Sequence, residues 1–145
     1  MPLESDTQLH ALLQRVRIFA VVGLSASPDK PSHEVAAYLQ RAGYRIVPVH
    51  PQYRAVLGEI CHPDLQAAAL FLSPHLSIDV ALCFRRPEHM PAVAQAAVAA
   101  GARCLWMQPG AASEAAAAIA GQAGLDVVVD RCVKVEHRRL GAVPK

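Results

Sequence analysis

Short runs that are apolar at every position constrain this chain more than any other feature. Residues 18–22 read Ile-Phe-Ala-Val-Val, with no polar residue on either face. A strand exposed on one side alternates apolar and polar residues, whereas a strand apolar throughout has to be covered on both sides, as in a parallel sheet. Comparable runs, interrupted near their starts by Arg45, Asp79 and Asp126 respectively, recur at 44–49, 78–84 and 125–129, and 104–107 is uninterrupted.

The stretches between them have helical spacing. Val35, Ala36, Leu39 and Ala42 form an apolar stripe that begins at Pro31-Ser32 and stops at Gly43, and 87–100 and 113–123 behave similarly. Ser5 or Asp6 can cap a leading helix within 1–16 that carries Leu9, Leu12, Leu13 and Val16. Strand and helix therefore alternate. The fold class this predicts is α/β: a Rossmann-like, doubly wound, mainly parallel five-stranded sheet with helices on both faces. The proline-punctuated stretch from Gly58 to Pro74 predicts an irregular connection with one helical turn near 64–70. Asp130 is expected to cap a closing helix, and Glu136 to pair with a basic neighbour.

With 145 residues, no internal repeat and no linker, the chain is expected to form one domain over 1–145. A formal net charge of +2 lacks the basic footprint of nucleic-acid binding. No run approaches the roughly 20 apolar residues of a membrane span, and Glu4 and Asp6 interrupt any amino-terminal leader, so a cytoplasmic location is expected. Cys61, Cys83, Cys104 and Cys132 form no Cys-x-x-Cys pair and are expected to be reduced thiols. The apolar composition, 53% against 18% charged, leans towards a homodimer that covers part of it.

Ligands of doubly wound sheets bind beyond the carboxyl ends of the strands, which directs attention to 23–32, 50–54, 84–87, 108–111 and 130–134. Gly23 permits a tight turn, Ser25 and Ser27 offer hydroxyls, and the amides opening the next helix suit a diphosphate. The same residues also suit any tight strand-to-helix turn. Lys30 adds a cation beside the helix entrance, and Arg85 and Arg86 at a strand end suit phosphate oxygens or adenine stacking.

A dinucleotide fingerprint would need glycine where Ser25 and Pro28 stand, and an acidic ribose ligand where His50 stands, so NAD is disfavoured. His10, His33, His50, His62, His75, His89 and His137 show no metal-binding spacing, and no metal site is expected. A nucleophile pairing of Cys132 or Ser25 with His50 or His137 is conceivable, but no G-x-S-x-G elbow is present. No catalytic residue is assigned; a binding protein is expected ahead of an enzyme, with acyl or thiol transfer, or a sensor of another nucleotide such as NAD, as alternatives.

Several segments together resemble the small, stand-alone CoA-binding domain family, related in fold to the nucleotide-binding domain of the succinyl-CoA synthetase α subunit. They are Ala20-Val21-Val22-Gly23-Leu24-Ser25, Lys30-Pro31-Ser32, Val47-Pro48-Val49-His50-Pro51, Leu57-Gly58-Glu59, Phe84-Arg85-Arg86-Pro87-Glu88, Trp106-Met107-Gln108-Pro109-Gly110 and 130–137. The resemblance implies coenzyme A or an acyl-CoA as ligand. It places the site at Gly23, Leu24, Ser25 and Ser27, at Lys30, Pro31 and Ser32, at Val49, His50 and Gln52, and at Phe84, Arg85 and Arg86; Gln108 and Gly110, in the strand-end segment 108–111, complete the expected site. The chain departs from the family pattern at His50-Pro51-Gln52, where Asn-Pro-Lys is usual, and at Gly23-Leu24-Ser25, where Gly-Ala-Ser is frequent. No ligase activity is implied, because the synthetase's phosphorylated histidine belongs to a further domain.

Overall fold

The computed structural model describes residues 2–143; of the domain expected over 1–145, Met1, Pro144 and Lys145 lie outside the described residues. The elements in chain order are α1 (Asp6–Arg15), β1 (Ile18–Val22), α2 (Pro31–Arg41), β2 (Arg45–Val49), β3 (Ala55–Val56), β4 (Glu59–Ile60), α3 (Leu65–Leu72), β5 (Val80–Cys83), α4 (Met90–Ala99), β6 (Cys104–Met107), α5 (Glu114–Gln122), β7 (Asp126–Val129) and α6 (Val133–Leu140).

Five strands form one parallel sheet in the order β2-β1-β5-β6-β7. The chain steps from β1 outward to β2 and then returns to the other side of β1 with β5. Strand order therefore reverses between β1 and β5, and two successive connections leave the sheet there in opposite directions, opening a crevice at the strand ends.

Period-two alternation divides the core. Phe19, Val21, Ile46, Leu82, Trp106 and Val128 face α1, α2 and α6, and bury Leu9, Leu13, Leu39 and Val133. Ala20, Val22, Val47, Cys83, Leu105 and Val127 face α3, α4 and α5, and bury Leu65, Ala68, Met90, Ala94, Ala116 and Ala120. Both faces are thus covered, which is why the strands carry no polar side. Small alanines let α4 and α5 pack closely over the second face.

Local chemistry sets the helix ends. Ser5 accepts a hydrogen bond from the Gln8 N–H while the Gln8 side chain accepts from the Ser5 N–H, a reciprocal cap on α1. Asp64 caps α3 through the Ala67 N–H at 2.8 Å, and Ser113 caps α5 through the Ala116 N–H at 3.1 Å. Glu136 pairs with Arg131 at 2.9 Å and with Arg139 at 2.6 Å, as expected of a basic neighbourhood, and Arg139 also reaches Asp6 of α1.

Three expectations are corrected. The stretch near 64–70 is not one turn but the helix Leu65–Leu72, whose Leu65, Ala68 and Leu72 are buried. Part of the connection expected to be irregular is a hairpin of β3 and β4 through Leu57 and Gly58, both at positive φ (54° and 78°). Two-residue strands carry too little periodicity to be seen in sequence. This hairpin leads into His62, which bridges to Val49 and covers the outer edge of β2. Asp130 does not cap the closing helix: it sits at φ 58°, and α6 starts after Cys132.

All four cysteines are free, with Cys61, Cys83 and Cys104 buried and Cys132 half-buried. Burial pushes the Cys83 and Cys104 thiols well above the usual thiol range. No helix among the described residues is long and apolar enough to cross a membrane, and no group of three potential metal ligands occurs among them.

Candidate functional site

The crevice at the strand-order reversal is built around Gly23. This residue leaves β1 at φ 84°, and its N–H donates to Val49 O of β2 at 2.9 Å. On the other side, the Phe84 N–H donates to Val22 O at 2.9 Å. The exits of β1, β2 and β5 are thereby tied together over a residue without a side chain. A Cβ at position 23 would lie 2.6 Å from Phe84 O and 3.1 Å from Cδ of Arg85.

From Gly23 the loop runs over the entrance of α2, held by its own serines. The Ser25 N–H donates to Ser32 Oγ at 3.0 Å, and the Ser27 N–H donates to Ser25 Oγ at 3.1 Å. Ser32 is buried, so this anchor is protected from water. Lys30 occupies the N-cap position of α2 without a side-chain cap, and Pro31 follows it. The first-turn amides of this eleven-residue helix thus have no side-chain partner at the cap and carry the positive end of the helix dipole.

Two clefts meet at this point. The first, about 580 Å³, has an apolar floor of Val22, Val49, Leu65 and Val93, with His50, Gln52, Asp64, Arg85 and His89 on its walls. The second, about 430 Å³, is lined by Ser25, Lys30, Pro31, Ser32, Arg86 and Gly110. Gly23, Phe84 and Arg85 belong to both. Arg85 therefore stands on the saddle between them.

His50 has a defined state. Its Nδ1 accepts from the Gln52 N–H at 3.1 Å, which leaves the ring proton on Nε2, and the ring stacks on Tyr53 at 4.3 Å between centroids. Burial, aided by the Arg85 charge, lowers its pKa from the usual histidine value. The group is a neutral imidazole with one N–H to donate.

Most residues expected at the site converge there: Gly23, Val49, His50, Gln52, Phe84 and Arg85 line the first cleft, and Ser25, Lys30, Pro31, Ser32, Arg86 and Gly110 the second. Three side chains do not. Leu24 is fully buried in the core on the α2 side. Ser27 is exposed but lines neither cleft. Gln108 is buried, and its Oε1 accepts the Val133 N–H at 2.9 Å. It caps α6 from the neighbouring strand end, the role expected of Asp130. Next to it, Trp106 Nε1 donates to Arg131 O at 2.7 Å, so β6 holds the start of α6 at two points.

Among the described residues no hydrogen bond joins Cys132 or Ser25 to His50 or His137, and Ser25 Oγ accepts the Ser27 N–H. Cys132 lines neither cleft, His50 Nδ1 is engaged with the Gln52 amide, and His137 Nδ1 lies 2.6 Å from the Tyr38 hydroxyl.

Residues missed in the sequence include Asp64, Leu65, His89 and Val93 of the first cleft. An acid before an apolar run at 64–65 was the available signal for the start of α3. His89 and Val93 had none, because only helix packing turns that part of the chain towards the crevice.

Comparison with known proteins agrees with this architecture. The chain is 36% identical over 133 residues to the uncharacterized protein YneT of Bacillus subtilis (strain 168), covering 92% of this chain and 94% of that one. A hypothetical protein from Pyrococcus horikoshii OT3 superposes with a TM-score of 0.86 at 32% identity, over 97% of this chain and 96% of that one. The structure of cell-free ID.343 from Thermus thermophilus gives a TM-score of 0.84 at 31% identity, over 94% and 99% of the two chains. The family model described as CoA binding domain matches residues 17–138. The family model thus spans most of the chain, the Bacillus relative is matched along nearly its whole length, and the protein belongs to the CoA binding domain family.

Proposed function

We propose that the chain is a binding module for coenzyme A or an acyl-CoA, held across the carboxyl ends of β2, β1 and β5. The observation that carries this reading is the pair of clefts joined at Gly23 under Arg85. CoA has three parts in series, and the groove offers three environments in series. The adenosine end fits the first cleft, where Val49, Leu65 and Val93 supply an apolar floor. The diphosphate fits the saddle, where Arg85 stands, on the side of the uncapped amides of α2 and the cations Lys30 and Arg86 of the second cleft. The pantetheine arm then runs through the second cleft past Ser32 and Gly110.

Calorimetric titration of purified, ligand-stripped protein with CoA tests the reading. One site per chain with a Kd of about 1–100 μM is expected for a preformed open groove of this kind. Absence of heat and of thermal stabilisation at millimolar CoA overturns it.

A further inference from the structure

The charges of the first cleft decide which adenosine it accepts, if this cleft holds the nucleotide end as proposed above. Its lining carries two permanent charges of opposite sign, the Arg85 guanidinium and the Asp64 carboxylate. Arg85 stands beside Gly23 and lines both clefts, and its charge also acts on His50; in the proposed binding mode it is the cation that the diphosphate takes up. Asp64 is held in position by its cap on α3, the Ala67 N–H at 2.8 Å, and its carboxylate lines the cleft wall.

The end of β2 supplies no positive charge. Gln52 is a neutral amide. His50 keeps its Nδ1 unprotonated to accept the Gln52 N–H, in agreement with the downward pull of burial and of Arg85 on its pKa. Lys30 and Arg86 line the second cleft, and Arg54 lines neither.

A phosphate monoester on the ribose is close to a dianion at neutral pH, and proteins recognise such groups with Arg or Lys. Here, apart from the Arg85 that the diphosphate takes up, it would meet the Asp64 carboxylate, the Gln52 amide and the imidazoles of His50 and His89. A free ribose hydroxyl suits the same wall, since a carboxylate accepts from several donors at once. We infer that the site recognises an adenosine diphosphate conjugate through its base, diphosphate and tail, but not through a phosphate on the ribose. Dephospho-CoA-type ligands with free ribose hydroxyls are then held as well as CoA.

The test is a parallel titration of the wild type and of Gln52→Lys with CoA and dephospho-CoA, at one ionic strength and at pH 8, where ordinary imidazoles carry little charge. The expected result is that wild-type affinities for the two ligands agree within about threefold, and that the new lysine tightens CoA by roughly tenfold while moving dephospho-CoA little. A wild type that holds dephospho-CoA roughly tenfold or more weakly than CoA overturns the inference while leaving the proposed function standing. A lysine variant with an unchanged ratio also overturns it, because the ribose then does not lie at the end of β2. If neither ligand binds the wild type, the proposed function fails and the inference falls with it.

Discussion

Gly23 and Phe84 approach so closely that a Cβ on the glycine would lie 2.6 Å from the phenylalanine carbonyl oxygen. Backbone cannot yield as a flexible side chain does, and at φ 84° any L-residue is strained as well. The Gly23→Ala variant is therefore expected to lose about 1–3 kcal/mol of stability, through a forced separation of the β1 and β5 exits. CoA affinity should fall by roughly tenfold or more, because the saddle is where the two clefts join. Urea unfolding and calorimetry on the same preparation read both effects.

Arg85 links the proposed diphosphate position to His50. Replacing it by glutamine removes the shared guanidinium and is expected to weaken CoA by about 1.5–3 kcal/mol, the range for a hydrogen bond to a charged group. Because burial first and Arg85 second lower the His50 pKa, the same variant should raise that pKa towards the ordinary value. NMR titration of the His50 ring protons distinguishes this from a general loss of structure.

Gln108 separates a structural role from a ligand role. Its buried Oε1 is the acceptor for the Val133 N–H, so Gln108→Leu leaves that amide unpaired and should cost about 1–3 kcal/mol of stability. CoA affinity at a temperature where the variant is folded should stay within about threefold of wild type. A large loss of affinity with little loss of stability would return Gln108 to the binding surface.

Glu136 gives the protein an acid-sensitive joint. Burial raises its pKa, but the hydrogen bonds from Arg139 and Arg131 and their charges outweigh this, and the net shift is downward from 4.5. A depressed carboxylate stabilises the fold fully above its unfolded value, and the contribution is lost as pH falls through the lowered folded value. Glu136→Gln should therefore cost about 1–3 kcal/mol at pH 7 and make stability fall less steeply between about pH 5 and pH 3. Denaturant midpoints across that range measure the slope.

His62 works in the same direction at higher pH. Its ring packs on Phe71 at 4.6 Å, its Nε2 meets no partner among the described residues, and burial lowers its pKa from 6.5. As pH falls below 6.5 the unfolded chain takes up this proton before the folded one does, and stability declines. His62→Phe is expected to raise the melting temperature, with a larger gain at pH 5 than at pH 7. Equal gains at both would mean that the imidazole is not held neutral.

The strands were legible in the sequence because a parallel sheet covered on both faces needs an apolar residue at every position, as at Ile18–Val22, and the helices because Val35, Ala36 and Leu39 return at helical spacing. Those periodicities are local. They also located the turns that follow the strands, so that Gly23, Ser25, Lys30, His50 and Arg85 could be named from the strand ends alone.

What the sequence could not contain is the order of strands across the sheet. That order brings the turn after β1 against the turn after β5, so Gly23 meets Phe84 and Arg85 serves two clefts. The same limit applies to Gln108, whose polar side chain after β6 resembles a ligand-facing residue until α6 docks and its first amide needs an acceptor. It applies equally to Asp64 and Val93, which the packing of α3 and α4 over the sheet turns towards the cleft. Chain-local chemistry determined the elements and the candidate groups; burial and strand pairing between distant segments decided which of those groups line the clefts and which were used up in holding the fold.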